Sequence, residues 1–169
     1  MEIIKAQMQD LPEIWEIIES CTKHLQSRGI YQWDETYPDL GIIKEDVENG
    51  YAYIGRDSDE CIAYVALNEK FDDEDPECRR VNWSSSGEKA LYIHRLAVHP
   101  ERQGKGIAKK MLRFIEDLAA KNNYSSIRLE AYSANEAAIK LYENSGYTKA
   151  GETYYSFMEL PFYCFEKNI

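Results

Sequence analysis

One short segment of the sequence combines residue types that bind anions. Between Val98 and Ile107 the chain reads His-Pro-Glu-Arg-Gln-Gly-Lys-Gly, which joins a predicted strand to a predicted helix. Backbone N–H groups at the start of a helix, backed by the positive end of its dipole, favour phosphate. Gly104 and Gly106 have no side chain to obstruct such a ligand, and the nearby cations are Arg102, Lys105, Lys109 and Lys110. Glycines and charge alone leave two readings open, a phosphate-binding turn and an ordinary turn with solvated lysines.

A second set of residues recurs at helical spacing closer to the C-terminus. Asn135, Ala138 and Tyr142 are three and four residues apart, so they share one face of a helix. An amide and a phenol on either side of a small residue suit a narrow ligand. The alternative is an amphipathic stripe in which Tyr142 only packs.

A strand must lead into the first segment. Leu91–His99 has apolar residues on both faces, which predicts a central strand covered on both sides. One face has Leu91, Ile93 and Ala97, and the other has Tyr92, Leu96 and Val98.

The remaining pattern predicts alternating strands and helices. Further strands are predicted at Glu2–Gln7, Tyr51–Arg56, Cys61–Asn68, Ser126–Tyr132, Tyr147–Tyr155 and Phe162–Lys167. Helices are predicted over about Leu40–Asn49 and Gln103–Lys121, and from two capping boxes, Asp10 with Glu13 and Ser133 with Glu136. Phe71–Glu88 is predicted as a long surface loop. The order predicts one α/β domain over residues 1–169, a mixed sheet with helices on both faces.

Two motifs give the chain a resemblance to a known family. Gln103–Ala108 matches the [Q/R]-x-x-G-x-[G/A] signature of the GNAT acetyltransferases, and Leu96–Pro100 resembles the strand ending that precedes it. Asn135–Tyr147 resembles the second block of that family, N-x-x-A-x-x-L-Y-x-x-x-G-[F/Y]. The resemblance implies the GNAT fold, in which the central sheet is splayed at its middle strands.

The resemblance also implies a cosubstrate, acetyl-CoA, and no metal. The turn amides would hold the pyrophosphate, the strand edge would pair with the pantetheine arm, and the amide of Val98 or a neighbour would stabilise the oxyanion. The implied cofactor-binding residues are Leu96, Ala97, Val98, Arg102, Gln103, Gly104, Lys105, Gly106, Ile107, Ala108, Asn135, Ala138 and Tyr142.

Two residues are the candidates for catalysis. By resemblance, Tyr142 is the general acid for the departing thiolate. His94 is the first candidate for the general base, because some relatives carry a His or Glu on this strand, and a core histidine is the equal alternative. Glu130 on the neighbouring strand is a weaker candidate.

Carboxylates among aromatic rings suit an ammonium group. Residues 30–38 are predicted as a loop, here called the aromatic loop, and its candidate substrate-binding residues are Tyr31, Trp33 and Asp34, with Glu35 and Tyr37 beside them. Glu130, on the predicted strand Ser126–Tyr132, is a further candidate. Tyr163 and Phe165 are further candidates to line the cleft. The alternative is that Trp33 and Tyr37 anchor the loop to the core.

Composition limits the function classes. A net charge of −10 disfavours nucleic-acid binding and suits a cationic substrate. No apolar run is long enough to span a membrane, and the N-terminus lacks a signal-peptide pattern, so a cytoplasmic protein is expected. The three histidines lack metal-ligand spacing, and the four cysteines form no C-x-x-C pair.

Two functions remain open from these observations. The first is direct acetyl transfer to a primary amine, and the second is a non-catalytic acyl-CoA sensor. Tyr142 favours the enzyme, because a pure binder has no need of that hydroxyl. Partners are acetyl-CoA and an amine, and the resemblance leaves a homodimer open.

Overall fold

The computed structural model describes residues 1–71, 79–85 and 89–169, with Arg79 as backbone only. The strands are β1 (Glu2–Lys5), β2 (Ala52–Asp57), β3 (Glu60–Asn68), β4 (Arg79–Val81), β5 (Ala90–Val98), β6 (Ser126–Tyr132), β7 (Thr148–Thr153) and β8 (Phe162–Asn168). The helices are α1 (Leu11–Gln26), α2 (Leu40–Glu48), α3 (Ile107–Lys121) and α4 (Glu136–Glu143), with 3-10 turns at Met8–Asp10 and Pro100–Arg102.

The described chain forms two compact units. The first contains Met1–Leu67 and Arg95–Met111, and the second contains the described parts of 68–94 and 112–169. Strand β5 therefore contributes its C-terminal half to the first unit and its N-terminal half to the second.

The first unit is built on β1, β2 and β3, which pair antiparallel in that order. Tyr64 of β3 and Ile54 of β2 belong to the core that α1 and α2 cover. The opposite face of this sheet is covered by α3, since a Cβ built on Gly55 would lie 3.4 Å from the sulfur of Met111. The unit therefore has helices on both faces of its sheet, as predicted.

The second unit contains the mixed part of the sheet. Ala90–Ile93 of β5 pair parallel with Ser126–Leu129 of β6. From β6 the order continues through β8, β7 and β4, and all of these pairs are antiparallel. The predicted α/β class with a mixed sheet is confirmed, and Ser126–Tyr132 is correct at both ends.

Both predicted capping boxes are wrong. Asp10 makes no side-chain cap for α1 and instead accepts from the Gln7 amide at 2.8 Å and pairs with Arg56 at 2.8 Å. Glu13 also pairs with Arg56 and accepts from the Cys61 amide. These carboxylates lie against a distant guanidinium, which a local pattern does not reveal.

Two other boundaries differ from the prediction. Helix α4 is capped by Asn135 rather than Ser133, and the Asn135 side chain accepts from the Ala138 amide at 3.2 Å. The predicted loop Phe71–Glu88 contains β4, which pairs with β7. The parts of that loop at 72–78 and 86–88 lie outside the described residues.

A buried ion pair organises the second unit. The Arg128 Nε donates to Glu166 Oε1 at 2.9 Å, and the two side chains are only 6% and 3% exposed. The carboxylate also accepts from the amide and hydroxyl of Ser84, both at 2.6 Å, and from the Ser85 hydroxyl at 2.8 Å. Burial opposes ionisation of Glu166, but these hydrogen bonds prevail and lower its pKa to about 2.

This cluster predicts an acid-sensitive contribution to stability. Because the folded pKa of Glu166 lies below its ordinary value, its contribution is present above pH 4.5 and is lost as the pH falls toward about 2. Glu166→Gln should lower the free energy of unfolding at about pH 7, and the deficit should shrink by about pH 3. Urea unfolding at both pH values measures this difference. Glu159→Gln, at an exposed position, is the control, and a deficit independent of pH would contradict the prediction.

Candidate active site

The end of β5 is held in place by side chains of the first unit. The Val98 carbonyl accepts from the Gln103 side-chain amide at 3.0 Å and from the Cys21 thiol at 3.2 Å. The following amide, of His99, donates to the Ile62 carbonyl at 3.0 Å. Gln103, the first residue of the signature, thus ties the turn back to the strand before it.

The turn that follows has the backbone geometry of an anion site. Gly104 and Gly106 have φ values of 75° and 76°, in the left-handed region that favours glycine. A Cβ at either position would meet no heavy atom within 4 Å, so conformation and not crowding requires glycine there. Helix α3 starts at Ile107 and not at Gln103, because left-handed residues cannot continue a right-handed helix.

The first amides of α3 are the candidate ligand-binding groups of this turn. The Lys110 amide donates to the Gly106 carbonyl at 3.1 Å, and helix geometry gives the preceding α3 amides no acceptor within the helix. Arg102 pairs with Glu60, and the Lys105 ammonium donates to the Glu101 carbonyl at 3.1 Å. Lys109 is exposed in the first turn. The turn therefore combines open space at both glycines with the positive charges of Lys105 and Lys109.

In the second unit, α4 carries the other motif. Asn135 and Ala138 are half-buried at its start, and Tyr142 is buried at 7% exposure. The Tyr142 ring packs against Tyr147 at 5.8 Å and Phe165 at 6.0 Å between centroids. Burial raises the pKa of the Tyr142 phenol well above its ordinary value, so it keeps its proton at neutral pH.

His94 is half-buried in β5, within the second unit. Its Nε2 lies 2.9 Å from Asn68 Oδ1 and 3.1 Å from the Lys70 carbonyl. Both partners are acceptors, because Asn68 Oδ1 also accepts from the Lys70 amide. Nε2 therefore carries a proton, and Nδ1 is the ring atom that could act as a base. The next residue, Arg95, has a φ of 52°, which interrupts strand alternation after His94.

The aromatic loop of the first unit divides into two kinds of residue. Tyr31 and Tyr37 are 62% and 40% exposed, whereas Trp33 is buried in the core, so the alternative of a core anchor holds for Trp33 and not for Tyr37. Asp34 Oδ1 accepts from the hydroxyl and amide of Thr36, both at 2.7 Å, and from the Tyr37 amide at 3.1 Å. The Thr36 hydrogen bonds lower the pKa of Asp34, so this exposed carboxylate is ionised.

Glu130 lies in β6 and has partners in the second unit. Its Oε2 accepts from the Tyr155 hydroxyl at 2.9 Å, and its Oε1 lies 3.7 Å from the Cys164 sulfur. Phe165 is completely buried, whereas Tyr163 is half-buried under the Lys149 ammonium. Glu130 is thus a half-buried carboxylate beside a phenol.

The described cysteines are suited to packing. Cys21, Cys61 and Cys164 are buried and free, and burial raises the pKa of both Cys21 and Cys61 to about 12. Such thiols are protonated at neutral pH and are poor nucleophiles. Cys78 lies outside the described residues. In the described ranges, no three His, Cys, Asp or Glu side chains are grouped as metal ligands.

None of the helices in the described parts of the chain is long and apolar enough to cross a membrane.

Sequence reasoning missed one prominent residue, Arg95. Its side chain is buried at 5% exposure against Asp46 of α2. The available signal was a charged residue inside an otherwise apolar strand. Its partner, 49 residues earlier, could not be identified from the sequence pattern.

Most of the sequence matches a known protein family. Residues 11–147 match the model of the acetyltransferase (GNAT) family. The chain is 27% identical over 150 residues to YesJ of Bacillus subtilis (strain 168), named as an uncharacterized N-acetyltransferase, and the match covers 83% of this chain and 81% of YesJ.

Two solved structures share the fold. A GNAT-family acetyltransferase from Streptococcus agalactiae 2603 has a TM-score of 0.83 at 20% identity, covering 99% of this chain and 95% of that chain. The structure of yncA from Salmonella typhimurium with its cofactor acetyl-CoA has a TM-score of 0.72 at 18% identity, covering 99% and 93%. The family match spans most of the sequence, and the chain belongs to the GNAT family of acetyltransferases, which use acetyl-CoA.

Proposed function

We propose that this protein transfers the acetyl group of acetyl-CoA to a primary amine by direct attack, without an acyl-enzyme. The turn before α3 is the observation that carries the proposal. Its two left-handed glycines, its uncrowded amides and its local positive charge fit a pyrophosphate in an otherwise acidic protein. The protonated thiols of Cys21 and Cys61 support direct attack over a cysteine-bound intermediate.

The chain's own groups have separate roles in this proposal. The turn amides bind the pyrophosphate, and the Leu96–Val98 backbone pairs with the pantetheine arm. An amide at Val98 donates to the acetyl oxygen as negative charge develops there. The side-chain oxygen of Asn135, Oδ1, accepts from the Ala138 amide and caps α4, so we assign the side-chain NH₂ to the pantetheine.

The turn generates a binding prediction with a matched control. Gly106→Ala puts a Cβ on left-handed backbone, at a cost of about 1 kcal/mol. Gly29 has a similar φ of 73° and equally open surroundings, so Gly29→Ala carries the same strain away from the turn. Only Gly106→Ala should weaken acetyl-CoA binding, by about 10-fold, because the amides move. Isothermal titration calorimetry measures both variants, and equal affinities would contradict the assignment.

In this proposal Tyr142 donates a hydrogen bond to the departing thiolate. Its pKa is raised by burial, so the phenol is fully protonated whenever a thiolate departs. Since the phenol is also a weaker acid than a thiol, a hydrogen bond to the thiolate costs less than complete proton transfer. We therefore assign Tyr142 to stabilise the leaving group.

Tyr142→Phe should lower kcat by about 100-fold, since it removes the donor and retains the ring. Acetyl-CoA affinity should change little. Tyr147→Phe is the matched control, because this neighbouring hydroxyl is buried and has no hydrogen-bond partner among the described residues. Steady-state kinetics measures kcat, and calorimetry measures acetyl-CoA affinity. An unchanged kcat in Tyr142→Phe would contradict this role.

The amine must lose a proton before it attacks, because an alkylamine with a pKa of about 10.4 is protonated at neutral pH. We assign this step to His94, with Nδ1 as the accepting atom because Nε2 donates to Asn68 and Lys70. Its Nε2–H bonds fix the tautomer that a base requires. Glu130, beside Tyr155, is the second candidate.

The pH dependence of kcat/KM distinguishes these bases. A base acts only when deprotonated, so activity rises with pH along an acidic limb. His94→Ala should flatten that limb and lower the plateau by about 100-fold. Glu130→Gln is the parallel variant. If the acidic limb persists in His94→Ala and disappears in Glu130→Gln, the base is Glu130.

The carboxylate of Asp34 supports a cationic acceptor, because it is exposed, ionised and near the exposed ring of Tyr31 in sequence. A thiol-release assay with acetyl-CoA against polyamines, amino acids, aminoglycosides and peptide N-termini tests the proposed reaction. Turnover with one of these classes supports the enzyme. Tight acetyl-CoA binding without turnover on any amine would favour the sensor.

A further inference from the structure

One guanidinium in the first unit links three parts of the chain, two of them directly and the third through Asp46. Arg95 Nη2 lies 2.8 Å from both oxygens of Asp46 in α2, and Nε donates to Oδ2 at 3.1 Å. The Tyr64 hydroxyl of β3 donates to the same carboxylate at 2.5 Å. Nη1 lies 3.1 Å from the hydroxyl of Tyr37 in the aromatic loop. Helix α2, β3 and the loop are thus connected through Arg95.

Stability alone is a weak reason for this arrangement. The side chains of Arg95 and Asp46 are only 5% and 7% exposed, and desolvation offsets much of the attraction in a buried ion pair. A buried bidentate pair does fix the relative orientation of its two side chains, because the planar guanidinium binds both carboxylate oxygens in one geometry. The pair therefore specifies where residue 95 lies.

The position of Arg95 matters for the candidate donor segment, Leu96–Val98, which follows it directly. Arg95 has a φ of 52°, a conformation that is strained for a residue with a side chain and that persists only when its surroundings enforce it. The next three residues, Leu96–Val98, are the backbone proposed to meet acetyl-CoA. The far end of this segment is held through the Val98 carbonyl by Gln103 and Cys21. Arg95 fixes the near end.

The other contact of the guanidinium leads to the candidate acceptor turn, residues 34–37. Tyr37 closes this turn, since its carbonyl accepts from the Asp34 amide at 2.9 Å and its amide donates to Asp34 Oδ1 at 3.1 Å. A hydrogen bond to the Tyr37 hydroxyl thus restrains the turn that carries the Asp34 carboxylate.

We propose that Arg95 is a positioning residue that sets the acceptor turn (34–37) against the donor segment (Leu96–Val98). The inference rests on the proposed function, because it assigns the turn to the amine and the strand to the acetyl donor. A displacement of about 1 Å between reacting groups lowers rates by about 100-fold, so a shared anchor for both substrates has a direct kinetic effect.

Two variants test separately the two contacts of Arg95, one with Asp46 and one with Tyr37. Arg95→Lys retains the charge and loses the fork, so backbone amide exchange should accelerate at both 34–37 and 96–98, and acetyl-CoA affinity should fall by about 10-fold. Tyr37→Phe removes one exposed hydroxyl, so exchange should accelerate at 34–37 alone. With this variant KM for the amine should rise by about 5-fold while KM for acetyl-CoA is unchanged.

Arg56→Lys is the matched control, because Arg56 also pairs with two carboxylates, Asp10 and Glu13, in the same unit. It should lower the melting temperature without changing exchange at either segment. Hydrogen–deuterium exchange read by mass spectrometry, calorimetry with acetyl-CoA and two-substrate kinetics provide the measurements.

The outcomes separate this inference from the proposed function. Unchanged exchange at 96–98 in folded Arg95→Lys, or unchanged exchange at 34–37 in Tyr37→Phe, overturns it. If Arg95→Lys does not fold, Tyr37→Phe decides alone, since accelerated exchange confined to 34–37 supports the link and unchanged exchange rejects it. If the wild-type protein acetylates no amine, the proposed function fails, while exchange and acetyl-CoA affinity still decide whether Arg95 positions the two segments.

Discussion

Arg95 and Asp46 form a buried ion pair beside the only stretch of strand that is proposed to meet the acetyl donor. The pair holds a left-handed residue inside β5, and Leu96–Val98 follow directly from it. An ion pair of this kind contributes direction more than stability, because desolvation offsets much of its attraction. The backbone of the candidate site depends on that direction, since a strained residue would otherwise relax to ordinary strand geometry.

The second unit contains an equivalent device. Arg128 and Glu166 are also buried and hydrogen-bonded, and the Arg128 guanidinium reaches a tyrosine hydroxyl, that of Tyr92, at 3.1 Å. The Glu166 carboxylate accepts hydrogen bonds from Ser84 and Ser85, which connect the segment before β5 to β8. Each unit therefore contains a buried guanidinium that joins a carboxylate to a tyrosine hydroxyl.

The candidate site depends first on the conformation of its backbone and only then on its side chains. Gly104 and Gly106 turn the chain so that α3 begins with its amides uncrowded, and Gln103 ties that turn to the Val98 carbonyl. The proposed proton chemistry uses two side chains, the Tyr142 phenol, which burial keeps protonated, and His94, whose Nε2 donates to two acceptors.

Much of this protein follows from local sequence. The pattern of apolar residues predicted every described strand except β4, with Ser126–Tyr132 correct at both ends, and two short motifs indicated the family and its α/β fold. The glycines of the turn need only their own backbone to adopt left-handed φ values. Such features depend on residues within a few positions of one another, so a linear pattern contains them.

Only the tertiary structure determined which partners the charged side chains bind. Asp10 and Glu13 had the spacing of a helix cap, yet both bind Arg56, more than 40 residues away. Asp46 had no visible role until Arg95 was placed against it, and Trp33 lies in the core although its acidic neighbours suited a ligand site. The physical reason is that a charge or a ring takes the partner that packing brings within reach, and the strength of that contact depends on burial, which no local pattern records.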